Sequence, residues 1–347
     1  MKEIFDQEAE NFLSKLIEVP GVAGNTQEVV SVLKNHLNYP HIKILPDKEG
    51  LGFFQAVIHP DKKYRVLLAS HMDTVGMRVS YIDENGFCFF RAVGGIDVQG
   101  IKGQCVKIVT RKGLIRGLVE CQPIHHMTQE ERQKPLAIEQ FFIRTENTGK
   151  KDSSIQVGDP ISFDQPLKKM GNDYLMGPGF DNRLGTLIMA EILHKIDHQK
   201  LNCCLYGVAS PGEEIGCRGI RALTQKISPN LAIVIDVTGI TDYPMANFIK
   251  FGKQELGKGP VIARGYNTRT PYTDRLIETA EELGIPIQFR AEDITATDGR
   301  ETDEAGVATL VIRVPGTLLH TAHDLVKRDD IHSTGKLIVE FLMRLPF

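Results

Sequence analysis

Residues 201–219 read LNCCLYGVASPGEEIGCRG. An apolar run of strand length stops at Ser210-Pro211-Gly212, delivers two adjacent carboxylates, Glu213 and Glu214, and gives way to a helical pattern over 217–228. Strand followed by amphipathic helix is the repeating unit of an α/β sheet, in which reactive groups collect beyond the carboxyl ends of strands. Two neighbouring acids repel, so placing them there asks for something positive between them.

The same grammar recurs on both sides. Upstream, YRVLLAS (64–70) leads into His71-Met72-Asp73; downstream, LAIVI (231–235) ends in Asp236 and ATLVIRVPGTLL (308–319) ends in His320. Asp181 sits in LMGPGFDNRLG (175–185). Helices are expected at 7–18 and 26–37, the second with Asn25 and Thr26 as capping candidates, and at 183–197, 217–228, 271–284 and 328–344. Strands are expected at 42–46, 51–59, 64–70, 201–209, 231–238, 286–291 and 308–314. From 77 to 169 the rhythm changes to short strands and turns, with Asn85-Gly86 and Lys112-Gly113 as hairpin signals. The expected fold is α/β, a mostly parallel sheet flanked by helices, formed by 1–76 and 170–347 and interrupted by an inserted small all-β domain at 77–169.

Composition narrows the function classes. A net charge of −3 over 347 residues offers no basic field for nucleic acid or an anionic membrane. No apolar run approaches the roughly 20 residues of a membrane span, and the charged start MKEIFDQEAE is unlike a signal peptide. Six cysteines without a CxxC pair form neither a disulfide framework nor a thiolate zinc site, which favours a cytoplasmic setting.

Taken singly, each strand-end residue has a plain structural reading. His71 suits a hydrogen-bonded core position, Asp181 a helix cap, Glu213 and Glu214 a favourable charge at a helix N-terminus, and Asp236 a strand end. Those readings do not explain why five segments deliver acids and imidazoles to one edge of one sheet. A pair of divalent cations does, and carboxylates with two imidazoles suit zinc, cobalt or manganese better than calcium or magnesium. Asp73, two residues after His71 on an extended segment, is placed to hold the imidazole N–H while the other ring nitrogen faces a metal.

The ordered set HMDTVG (71–76), GPGFDNR (177–183), EEIGCRG (213–219), IDVT (235–238) and VPGTLLH (314–320) resembles the tetrahedral dinuclear metalloaminopeptidases, the glutamyl and deblocking group, some of whose members carry the label endoglucanase. QVGDPISFD (156–164) extends the resemblance into the insertion. The resemblance implies that Asp181 bridges two metals, that His71 and Asp236 hold one and Glu214 and His320 the other, and that Glu213 is the general base. It also implies short peptide substrates, an insertion that dimerises, and a hollow homo-dodecamer built from dimers. The chain departs from the family at Thr317, Leu318 and Leu319, where an Arg-Tyr pair is usual, and at Gly212, where glutamine is common. A related dimetal deacylase or carboxypeptidase is the alternative, although its extra domain follows the fourth ligand. An endoglucanase is a poorer fit, because a glycosidase sets its acids on opposite sides of a sugar bond.

Overall fold

The structure, a computed structural model, describes residues 3–47, 52–146, 148–149, 154–265, 268, 271–292 and 297–345. Lys150-Lys151, whose charge and position in the sequence read as a solvated turn, lies outside them. An 11-stranded sheet forms the larger body, with Arg65–His71 between Cys204–Ser210 and Leu231–Gly239, followed by Ala308–Thr317. These four strands run parallel, so their carboxyl ends lie on one edge, with Ser210 opposite His71 and Asp236 opposite Arg313.

Alternation along these strands shows why they are buried on both faces. Val66 and Leu68 join a core with Phe12, Leu16, Leu184, Ile188 and Leu337 from three helices, Gln7–Glu18, Phe180–Lys195 and Arg328–Met343. Leu67 and Ala69 point the other way, into a second layer with Ile220, Leu223 and Ile227 of the Ile220–Ile227 helix. Successive residues of a strand face opposite sides, and a run apolar at every position therefore needs cover on both.

The expectation of a mostly parallel sheet needs correction. The parallel strands form its centre and Val261–Arg264 pairs in parallel with Gln288–Ala291, but the flanks are antiparallel: Phe54–Ile58 against Cys204–Ser210, and Asp324–Lys327 against both Tyr174–Gly177 and Ala308–Thr317. The sheet is mixed. Apolar periodicity reports which faces are buried, not which way a strand runs.

Two local expectations also fail for identifiable reasons. The helix expected from 217 begins at Ile220, because Gly216, Cys217 and Gly219 take positive φ values of 105°, 51° and 105°, outside the helical region. Thr26 occupies the N-cap of Gln27–His36 without capping it; its hydroxyl donates to the Gly52 carbonyl at 3.3 Å.

Between Gly76 and Phe163, six strands close into a barrel with its own core, including Phe90, Ile108, Val119, Phe141 and Ile161. The first hairpin signal falls between paired strands, and the second ends on the first residue of one, Gly113. At the first, the Asp83 carboxylate accepts the Asn85 and Phe87 N–H groups at 3.0 and 2.8 Å, and Gly86 takes φ +81°. At the second, Gly113 takes φ +125° opposite Thr110. His125 and His126 lie in an exposed 3₁₀ turn of this barrel.

Candidate active site

The structure brings all five strand-end segments together. Asp181 lies at the centre: Oδ1 is 3.2 Å from His71 Nε2, and Oδ2 is 3.5 Å from His320 Nε2. His71 Nε2 also faces Asp236 Oδ1 at 3.6 Å and Glu213 Oε2 at 3.8 Å, while His320 Nε2 faces Glu214 Oε1 at 3.6 Å. Each imidazole turns its other nitrogen to a backbone carbonyl. His71 Nδ1 donates to Asp73 at 3.2 Å and His320 Nδ1 to Gly95 at 2.8 Å. Fixing Nδ1–H in this way directs both Nε2 atoms at the same aspartate, where a protonated Nε2 donates to a carboxylate oxygen and a deprotonated one can bind a metal.

Asp73 acts differently from the sequence expectation. Its carbonyl is closer to His71 than its carboxylate is, at 3.2 against 3.6 Å. The carboxylate instead accepts the backbone N–H groups of Glu213 and Glu214, each at 3.2 Å. Asp73 therefore ties the first strand end to the second and fixes the turn that carries both glutamates.

Other supports lie far apart in sequence. Asp324, fully buried, accepts the Phe180 N–H at 2.9 Å and joins the Asp181 segment to the strand that follows His320. Asp181 and Asn182 have non-helical backbone angles at the head of the Phe180–Lys195 helix, and Asn182 Nδ2 donates to the Ile235 carbonyl at 2.8 Å, beside Asp236. Thr297 donates to Asp236 Oδ2 at 2.9 Å. Only Asp324 had a signal in the sequence, its closeness to His320; Thr297 and Gly95 had none.

The charges do not balance within the protein. Burial pushes the Glu213 carboxyl up to about 8, with Asp236 and Asp298 adding to the effect, and pushes Glu214 up to about 9, reinforced by Asp181. Against the burial that would raise it, His320 and His71 hold the Asp181 carboxyl well below the usual carboxylate range. The hydrogen bond to Asp181 in turn lifts His320 to about 10. Protons on the imidazoles thus supply the positive charge, and Glu214 Oε1 is buried with no hydrogen-bond partner.

Two ligand groups, His71–Asp181–Asp236 and Asp181–Glu214–His320, each have candidate ligand atoms within 4.8 Å of one another and share Asp181. Imidazole and carboxylate are the donors that borderline divalent metals prefer, and the orphaned Glu214 oxygen is a free ligand atom. The residues present fit a metal pair. The site opens to a cleft walled by Thr238, Arg290, Glu292, Arg313 and Leu319.

Over 342 residues the chain is 31% identical to FrvX of Escherichia coli K12, a protein provisionally designated an aminopeptidase, covering 96% of this chain and 94% of FrvX. The crystal structure of a TET aminopeptidase from a marine-sediment thaumarchaeote superposes with a TM-score of 0.90 at 28% identity, covering 98% of this chain and 97% of that one. The TET1 peptidase of Pyrococcus horikoshii, which can assemble into a tetrahedron or a large octahedral shell, shares the fold at a TM-score of 0.85 and 23% identity, covering 97% of this chain and 100% of that one. The sequence profile of the M42 glutamyl aminopeptidases matches residues 52–337, and the chain belongs to that peptidase family.

Proposed function

We propose that the chain removes the N-terminal residue from short peptides with the help of two divalent metal ions. Asp181 would hold both ions, His71 and Asp236 one of them, and Glu214 and His320 the other; zinc or cobalt suits the donor set best, with manganese next. The observation that carries this reading is the division of Asp181, whose two oxygens face different imidazoles at 3.2 and 3.5 Å. Bound ions of this kind polarise a scissile carbonyl and make water a better nucleophile at neutral pH.

The remaining work falls to the chain's own groups. Glu213 takes the role of general base, receiving a proton from the attacking water at its carboxylate and returning it to the leaving amine. Asp73 keeps that carboxylate in place by holding the Glu213 and Glu214 amides. The carbonyls of Asp73 and Gly95 keep the Nε2 atoms of His71 and His320 directed at the reacting region. A two-carboxylate glycosidase fits less well, since Glu213 and Glu214 offer oxygens within 4.8 Å of each other and of His71. A sugar bond needs its two acids roughly 5–9.5 Å apart.

In this reading residues 1–76 and 170–347 form the catalytic domain, 77–169 form the dimerisation domain, and dimers assemble into a dodecamer in the cytoplasm. The assemblies of the Pyrococcus horikoshii relative support the oligomer. No described helix is long and apolar enough to cross a membrane. Nucleic acid has no place in the reading, given the net charge of −3. The test is a panel of aminoacyl-nitroanilides on metal-stripped protein. Activity should be absent, and should return with Zn²⁺, Co²⁺ or Mn²⁺; full activity after stripping overturns the reading. Light scattering that finds only dimers at every concentration overturns the dodecamer.

A further inference from the structure

A second group of metal-ligating side chains lies at the other end of the helix that carries Asp181. Glu191 and His194, one turn apart near its C-terminus, meet His36 from the last turn of Gln27–His36. His36 Nε2 is 2.7 Å from Glu191 Oε1, and the candidate ligand atoms of all three residues lie within 4.8 Å of one another. Asp181 and His194 are 13 positions apart, about 20 Å along a helix rising 1.5 Å per residue, so the group is remote from the active site.

We propose that His36, Glu191 and His194 form a separate peripheral site for a single zinc-type divalent cation. Two imidazoles and one carboxylate are a ligand set that zinc uses with water in the fourth position.

The surroundings hold these groups in place. Phe12 stacks on His36 with ring centroids 3.6 Å apart, and Tyr39 stacks on His194 at 4.1 Å. Lys195 pairs with Glu191 Oε2 at 2.9 Å, leaving Oε1 toward the imidazoles. The lysine charge does not exclude a cation, because Asp6 Oδ2 takes it at 2.7 Å and the Glu3 and Ile4 carbonyls accept from it at 2.9 and 3.2 Å. Tetrahedral ligands about 2.0–2.1 Å from zinc stand about 3.3 Å from each other. Binding therefore needs the 2.7 Å His36–Glu191 contact to open by roughly half an ångström, a rotamer adjustment. The three residues lie beside a surface cleft bounded by Glu8 and Lys15, which gives an ion a way in.

The site would pin the end of one helix to the end of another, both on the same side of the sheet. The test counts zinc rather than activity. Metal-free protein is dialysed against micromolar Zn²⁺ and analysed for zinc per chain, alongside His36→Gln/His194→Gln and the single variant His194→Gln. Each variant should hold one zinc fewer than the parent while aminopeptidase turnover is unchanged. The single variant, which keeps the His36–Glu191 bond, serves if the double variant fails to fold. Equal zinc content in the parent and a folded variant overturns the proposal, whatever the active-site occupancy.

Discussion

One helix, Phe180–Lys195, connects two opposite solutions to the problem of burying charge. At its far end Lys195 and Glu191 are both nearly inaccessible, and the lysine is shared with Asp6, so each of these acids has a cation in direct contact. At its near end Asp181 joins Asp236, Glu213 and Glu214 around two imidazoles, and the acids outnumber the cations. In the first arrangement each carboxylate is met at close range by a lysine or an imidazole. The second leaves a buried carboxylate oxygen without a hydrogen bond and two carboxyls pushed to about 8 and 9, an arrangement that folding alone does not favour. Acids in direct contact with a cation mark the far end, and crowded acids at longer range from their imidazoles mark the near one.

Substitutions at the two ends should therefore fail in different measurements. Glu213→Gln removes the base while retaining the shape, so turnover should fall about 10²–10⁴-fold with metal content unchanged. Unchanged turnover, measured on one nitroanilide substrate, would remove Glu213 from the reaction. Lys195→Met should behave in the reverse way. It takes the lysine from buried Glu191, which keeps only His36, and from Asp6, costing about 3 kcal/mol in urea unfolding, while the folded fraction keeps its turnover per site. A loss of turnover without a loss of stability would erase the distinction between the two ends.

Smaller effects sharpen the contrast. Asp324→Ala removes the acceptor of the Phe180 N–H without touching the proposed ligands, and chelator competition should show metal affinity about 10–100-fold lower. An affinity equal to that of the parent would show that the Phe180 hydrogen bond does not position Asp181. The exposed Lys134–Glu130 pair is the control, since neither partner is buried. Lys134→Ala should change stability by less than about 1 kcal/mol and turnover not at all, as solvent and salt screen such pairs.

The sequence made the acids and imidazoles legible because, Asp181 in its glycine-rich turn apart, each lies just beyond an apolar run. His71, Asp181, Glu213, Glu214, Asp236 and His320 meet as their positions after strands implied. The supports were hidden because nothing local distinguishes them. Gly95 contributes a carbonyl that any residue carries, Thr297 lies 61 positions from Asp236, and the carboxylate of Asp73 turned out to hold amides 140 positions away. Strand direction was hidden too: the antiparallel neighbours of the parallel centre have the same apolar texture as the centre itself. His36 and His194 escaped for a further reason. They come from separate helices, 158 positions apart, and neither follows a strand.

The hydrogen bond between the Gly95 carbonyl and His320 makes one module answerable to the other. Gly95 follows the barrel strand Cys88–Val93, and the Asp97 N–H returns a hydrogen bond to the His320 carbonyl at 3.1 Å. Whatever shifts the barrel against the sheet shifts this clasp, and with it the aim of one imidazole. Thermodynamic linkage makes the dependence mutual: a cation that favours the clasped orientation also favours the barrel position that provides it. Loading the reaction centre and seating the barrel would then be two views of a single equilibrium.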